Sequence, residues 1–490
     1  MREALIIFRK DVRHLWPRIL FLEFWIAVGV FVDAMRPRHM SLVVQPLGIL
    51  VVVSCLYLLV SAMHEEKTAG DTRYWLTRPI PRRAIVTAKL LFIIAFLVVP
   101  IVIGHAVVLA VNGFPQSEYW GGSVWDELLT VLTASVTVWA IASVTVGLVQ
   151  FVWVGLLWIF GFLAFVFVFQ TSESMDWPGF ETFRSDLMAT ALLLIGIAVL
   201  WLMYTRRNRT TATFVLGTSA VLLVLLRLLV PWHVAFALKA NSGQKVDSNL
   251  VRLALDPAAR KYSDGLITKS FGGAVGVYIP ILLSGIPDGM QVIGDRVSLA
   301  INARGEKWKS GWDRLGQLVP PDEPITDPYH QRVTSGPQLL YVNINSEAYE
   351  RLAKPATHLR ATVAFTLYGR PLTVRMPQTD RGRFIPGAGF CSVFYYGNVL
   401  APRCFNAFEP PEAIDLLWRD SPDGAWQYRR SLSVPANPVD IGFFSFWYYG
   451  PSLGFNVPYY PHEVWLQVRR PVAYFERTLD IPAIRLADYH

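Results

Sequence analysis

With 490 residues, 53% of them hydrophobic and only 17% charged, and a mean hydropathy of +0.36, the chain is too apolar for an ordinary water-soluble protein. Its net charge of +8 gathers beside apolar runs, where it reports membrane topology; no nucleic-acid-binding module is recognisable, so nucleic acid is excluded as a partner. Nearly all long apolar runs precede residue 233, which divides the chain into an α-helical polytopic membrane domain, 18–232, and a β-rich domain, 240–490.

Residues 1–17 place Leu5, Phe8, Val12 and Leu15 on one helical stripe, with Arg2, Arg9, Lys10 and Arg13 off it. That pattern predicts an amphipathic helix lying in the membrane interface, its charges toward anionic headgroups. Apolar runs near 18–35, 43–63, 86–111, 125–149, 151–170, 187–204 and 212–231 then predict about seven transmembrane helices. Segments 1–18, 64–89 and 205–211 hold fourteen Lys or Arg residues, whereas the alternate segments 33–42, 112–124 and 171–186 hold three. The bias predicts a cytoplasmic N-terminus and, after seven spans, an extracytoplasmic C-terminal domain in the cell membrane.

The stretch from His64 to Lys89, HEEKTAGDTRYWLTRPIPRRAIVTAK, is polar and sits between two apolar runs. It predicts a short amphipathic helix from Glu65 to about Leu76, a turn stopped by Pro79 and Pro81, and a basic ramp into the next span. A solvated loop with ordinary positive-inside charge would also be polar and basic. The order Glu65, Glu66, Lys67, Gly70, Leu76, Pro79, Pro81, Arg82, Arg83 and Lys89 ahead of an apolar run resembles the first cytoplasmic loop of ABC-2 type transporter permeases. The resemblance implies that Glu65, Glu66, Gly70, Leu76, Pro79, Pro81, Arg82, Arg83 and Lys89 form an ATPase-coupling loop. It further implies a separate ATP-binding cassette subunit and a second permease copy, identical or not, in the lipid bilayer. The commonest members have six spans and end in the cytoplasm, so the seventh run and the appended domain depart from the pattern.

Three ionisable residues fall inside predicted spans: Glu23, His105 and Arg227. Charges in hydrocarbon are costly and mark pathways, but Glu23 and Arg227 near an interface would snorkel, and a neutral His105 would bond between helices. The fourth span carries Thr130, Thr133, Thr137 and Ser143 at helical spacing, suited to tight helix–helix packing at a dimer or pathway interface, or in the core.

Beyond residue 240, short alternating runs such as QLLYVNIN, LRATVAFTLYG and EVWLQVRR, punctuated by Gly and Pro, predict one or two β-sandwich lobes. Cys391 and Cys404 in this part either form a disulfide closing a hairpin-like loop or stay as buried thiols. Aromatic clusters at 394–396 and 443–449 either fill a sandwich core or form a platform for a ligand.

No GxxxxGK[ST] segment is present, so the chain holds no phosphate-cradling loop and no ATPase site of its own. There is no HExxH, no Cys/His cluster with metal-ligand spacing and no GxSxG, so no metal, cofactor or catalytic residue is expected. The expectation is a permease subunit of an ABC-2 type transporter. The alternatives are a membrane-anchored sensor or scaffold, or a tethered enzyme, acting through the β domain.

Overall fold

In a computed structural model of the protein the described residues are 2–35, 41–64, 81–111, 113–168, 180–206, 208–229, 232–242, 247–256, 274–303, 306–313, 317–319, 332–333, 336–376, 383–386, 388–396, 399–406, 413–419, 421–424, 427–431, 447–449 and 463–489. The first half is helical. Its elements are α1 (Arg2–Met35), α2 (Ser41–His64), α3 (Arg82–Ile93), α4 (Val99–Val111), α5 (Gln116–Val144), α6 (Leu148–Val168), α7 (Phe180–Trp201), α8 (Arg209–Leu229) and α9 (Trp232–Ser242).

The segment expected in the interface and the first expected span form one helix, α1, with Pro17 inside it. A π-helical turn, Ile94–Val98, joins α3 to α4. Pro100 lies just beyond; it has no N–H to offer and its ring crowds the carbonyl four residues back, so the bonding pattern loosens there. The result is a single rod, 82–111. Among the described residues, six helical stretches are long and apolar enough to cross a membrane: Arg2–Val32, Pro46–His64, Arg83–Val111, Glu127–Val144, Phe183–Arg206 and Arg209–Leu226. α6 contributes a shorter apolar stretch, Leu148–Trp158, and packs on α8, where the Trp158 indole N–H donates to Ser219 Oγ over 3.1 Å.

Contacts sort the helix ends into two groups. At one end, Lys89 of α3 meets Ala62 in the last described turn of α2, His64 of α2 meets Thr145 beyond α5, and Arg209 at the start of α8 meets Val144. This end carries the basic segments. The opposite end, formed by the α4–α5 turn, the start of α7 and α9, meets the β domain.

The second half holds β1 (Arg252–Leu255), β2 (Ala274–Ser284), β3 (Gln291–Ala303), β4 (Glu306–Asp313), β5 (Gln317–Val319), β6 (Arg332–Val333), β7 (Gly336–Asn345), a short helix α10 (Ser346–Leu352), β8 (Thr357–Tyr368), β9 (Leu372–Met376), β10 (Arg383–Ile385), β11 (Gly389–Tyr396), β12 (Val399–Asn406), β13 (Ala413–Arg419), β14 (Gln427–Ser431), β15 (Trp447–Tyr449), β16 (Glu463–Arg469) and β17 (Pro471–Ile484). Every recorded pairing is antiparallel.

Two lobes result, each made of two sheets over a common core. In lobe one the sheet β1-β2-β7-β5 faces β17-β8-β3-β4, with β6 added to β3. Val277, Ile279, Leu340 and Val342 from the first sheet meet Val297, Leu299, Val363, Phe365 and Phe475 from the second. The alternation read in the sequence is the physical cause, since residues two apart share a face of the sheet. In lobe two, β14-β13-β16-β9 and β10-β11-β12-β15 enclose Met376, Ile385, Cys391, Cys404, Trp418 and Leu466. Cys391 and Cys404 are register partners on β11 and β12, and their sulfurs are bonded.

Lobe two is inserted into lobe one. The chain leaves lobe one between β8 and β9 and returns between β16 and β17, and the two crossings lie side by side, with Gly369 N–H donating to the Arg470 carbonyl over 2.9 Å. The buried Arg469 guanidinium fastens the joint, donating to the carbonyls of Gly289 (3.1 Å) and Gly369 (3.4 Å).

The β domain meets the helices at two places. Phe384 and Phe390 of lobe two pack against the helical core at the α4–α5 turn, where the Phe114 and Phe384 rings lie edge to face at 5.6 Å. α9 lies against lobe one: Trp232 meets Trp312 at 5.1 Å, Phe236 meets Tyr474 at 6.0 Å, and Phe183 of α7 joins the same cluster. The Arg296 guanidinium sits 5.0 Å above the Trp232 ring, a cation–π contact away from water.

Candidate functional site

The site begins at the basic end of the bundle, around the roots of the 65–80 segment. α2 is described as far as His64, and Ala62 lies in its last described turn. The Lys89 ammonium of α3 donates to the Ala62 carbonyl over 2.7 Å. The same ammonium donates to Asp11 Oδ2 of α1 over 2.8 Å. Lys89 is 1% exposed and Asp11 is 0% exposed, so this ion pair is wholly inside the protein. Removing one partner of such a pair strands a charge and costs about 3–5 kcal/mol, although the intact pair adds little net stability.

α5 ends at Val144, with Thr145 as its C-cap. Arg209 Nε at the start of α8 donates to the Val144 carbonyl over 3.1 Å, and His64 Nε2 lies 3.3 Å from Thr145 Oγ1. A belt of polar contacts therefore ties α1, α2, α3, α5 and α8 together at the roots of the 65–80 segment.

α1 approaches α3 closely because small residues line the contact: Ala4, Ala84 and Ala88 pack with Ile7. The buried stripe of α1 runs Ala4, Ile7, Asp11, Leu15, with Leu5 exposed and Phe8 and Val12 half-buried. It is rotated about one residue from the stripe expected from the sequence, and the rotation brings Asp11 inside. Sequence reasoning missed Asp11. The available signal was an acid four residues from both Ile7 and Leu15, on an apolar face.

The expected coupling residues are placed as follows. Glu65, Glu66, Gly70, Leu76 and Pro79 lie outside the described residues. Pro81 is the N-cap of α3 and exposed, Arg82 opens the helix with its side chain outside the described set, and Arg83 is exposed. Lys89 faces inward and holds helices together; it presents no charge to a docking partner.

Of the intramembrane ionisable residues, Glu23 is half-buried on α1. His105 of α4 is buried with Nδ1 3.7 Å from Glu127 Oε2 of α5, toward the β-domain end. Arg227 lies on α8, its side chain outside the described residues. Thr133 and Thr137 are buried and Thr130 is exposed; Thr133 Oγ1 donates to the Ala189 carbonyl of α7 over 3.4 Å. Gly196 of α7 lies against Val136, where an added Cβ would fall 2.7 Å from Val136 Cγ1. The small-residue face of α5 thus serves close packing on α7 within one chain.

In the β domain the expected aromatic clusters 394–396 and 443–449 have side chains outside the described residues. The charged group that stands out is Glu463, buried at the start of β16, which accepts from Arg419 (2.6 and 2.9 Å) and Arg375 (3.0 Å). Burial pushes its carboxyl up, but the hydrogen bonds from Arg419 and Trp465 and the charges of Arg375 and Arg419 outweigh that and hold it below the usual carboxylate range. Among the described residues, no group of three or more His, Cys, Asp or Glu could hold a metal ion.

No curated protein matches the chain. Residues 6–230 match the family model for ABC-2 family transporter proteins, a stretch that takes in the helices α1–α8 and the polar belt at their basic end. By this match the multi-pass helical part of the chain is similar to ABC-2 family transporter proteins.

Proposed function

We propose that the chain is the membrane-spanning subunit of an ABC-2 type transporter, moving its substrate with ATP hydrolysed by a separate subunit that docks on the 64–89 segment of each of two permease copies. The family match carries this reading. The polar belt supports it, because a push on the roots of the segment would reach five helices at once.

The basic end of the bundle is the cytoplasmic end, and the β domain stands outside the cell membrane. The excess of Lys and Arg beside α1, α3 and α8 supports this orientation, as does the attachment of the β domain at the opposite helix ends. A bonded pair of buried cysteines in lobe two suits an oxidising compartment. In that placement the β domain handles substrate or docks a partner on the outer face.

Co-purification from detergent tests the reading. The wild-type chain should bring down a soluble ATP-binding subunit, and the Glu65→Lys/Glu66→Lys variant should reach the membrane without it. Equal recovery with the variant would remove residues 65 and 66 from the interface, and no ATP-binding subunit with the wild type would remove the transporter reading.

A further inference from the structure

We propose that Asp11 and Lys89 are positioning residues: their buried pair, closed against the Ala62 carbonyl, clamps both roots of the 65–80 segment to α1, so that a displacement of that segment passes to the membrane helices as one movement. The inference rests on the coupling role proposed for 64–89.

Three observations carry it. The first is place. Ala62 lies three residues before the 65–80 segment and Lys89 nine residues after it, so one ammonium holds together the two helices that border the segment. Asp11 belongs to a third element, α1, more than 70 residues away in sequence.

The second observation is the choice of chemistry. The surrounding α1–α3 contact is made of Ala4, Ile7, Ala84 and Ala88, and an apolar pair in place of Asp11 and Lys89 would stabilise the fold as well or better. What an ion pair adds is register. Apolar surfaces in contact can slide by a fraction of a turn at little cost, whereas a buried ammonium bound to one carboxylate oxygen and one carbonyl tolerates no such slip without stranding a charge.

The third is connection. His64 and Thr145 carry the same contact line to α5, and Arg209 with Val144 carries it on to α8. The clamp is therefore the first link of a chain of polar contacts and is not an isolated staple on α1.

The test separates clamping from stability. The full chain, in a Cys55→Ser background, carries nitroxide labels at the exposed positions Arg9→Cys and Ile103→Cys, the latter on the rod 82–111 but outside the 64–89 segment, and is reconstituted in lipid nanodiscs with the ATP-binding subunit recovered alongside the wild-type chain. Without further substitution, the label pair should give one narrow distance that shifts between the nucleotide-free and ATP-bound states. Asp11→Leu/Lys89→Met leaves no buried charge unpaired; it should fold and bind the ATP-binding subunit, yet give a broadened distance with loss of the nucleotide-driven shift. A narrow distance and full shift in the Leu/Met variant would overturn the positioning role while leaving the transporter reading in place. Failure of the unsubstituted labelled chain to bind an ATP-binding subunit, or to shift with nucleotide, would overturn the coupling reading and the clamp with it.

Discussion

Two glycines in one loop offer a controlled measure of how tightly α9 is delivered to lobe one. Gly285 and Gly289, both between β2 and β3, have the same left-handed backbone, φ +78°. Alanine at either position pays the strain of that conformation, about 1–2 kcal/mol. Their surroundings differ. A Cβ on Gly289 would lie 3.2 Å from Cγ of Arg370, a flexible side chain that can move aside. A Cβ on Gly285 would lie 1.8 Å from the carbonyl oxygen of Leu250 and 2.7 Å from its carbon. That carbonyl is backbone, in the 3-10 turn Ser248–Leu250 that connects α9 to β1, and it cannot rotate out of the way. Displacing it disturbs buried Val251, an overpacking of the kind that costs about 1–3 kcal/mol.

Gly289→Ala should therefore destabilise lobe one by about 1–2 kcal/mol and Gly285→Ala by about 2–5 kcal/mol. At about 2–4 °C per kcal/mol for a domain of this size, the two midpoints should separate by several degrees. Thermal unfolding of the full chain in detergent, followed by near-ultraviolet circular dichroism, reads the difference. Coincident midpoints for the two variants would refute the close crossing of the connector over the end of β2.

Two further outcomes follow from the β domain. Because the Glu463 carboxyl is held low in the folded state, its contribution to stability is complete above the ordinary value of 4.5 and is lost as pH falls below it through the depressed value. Unfolding midpoints measured between neutral and acid pH should fall more steeply for wild type than for Glu463→Gln, and parallel curves would contradict this. Trp232→Ala empties the cluster shared by α9, α7 and lobe one and uncovers Arg296; a loss of about 3–5 kcal/mol is expected at this joint. Limited proteolysis should then cut the variant between α8 and β1 much faster than wild type, while equal rates would mean that the aromatic cluster does not hold the joint.

The helices were legible because crossing a membrane demands long apolar runs, and length alone identifies them. The strands of lobe one were legible for a similar reason: QLLYVNIN and LRATVAFTLYG alternate, and they form β7 and β8, in facing sheets with their buried faces on one core. The insertion of lobe two was not legible. β16 and β17 are separated by Arg470 alone, so the sequence reads as a hairpin, yet the two strands belong to different sheets. Nothing in a local period reports which sheet a strand joins. Asp11 was obscured differently, because a stripe drawn through the largest apolar residues passes Ala4 by, and it was small residues that set which face of α1 lies closest to α3. The 64–89 segment stood out by the order of its residues, whereas the inward turn of Lys89 depends on a carbonyl on α2 that no spacing reveals.

The two footings of the β domain have a consequence for the direction in which information can travel. Lobe two stands on the α4–α5 turn, at the far end of the rod 82–111 whose near end carries Lys89, while lobe one stands on α7 and α9. A tilt of the rod relative to α7 must be taken up where the lobes meet, at Gly369, Arg469 and Arg470. Linkage is reciprocal: if movement at the basic end alters the angle between the lobes, a molecule that prefers one lobe angle biases the basic end by the same free energy. The β domain is thus placed to act as a load on the bundle as well as to be carried by it.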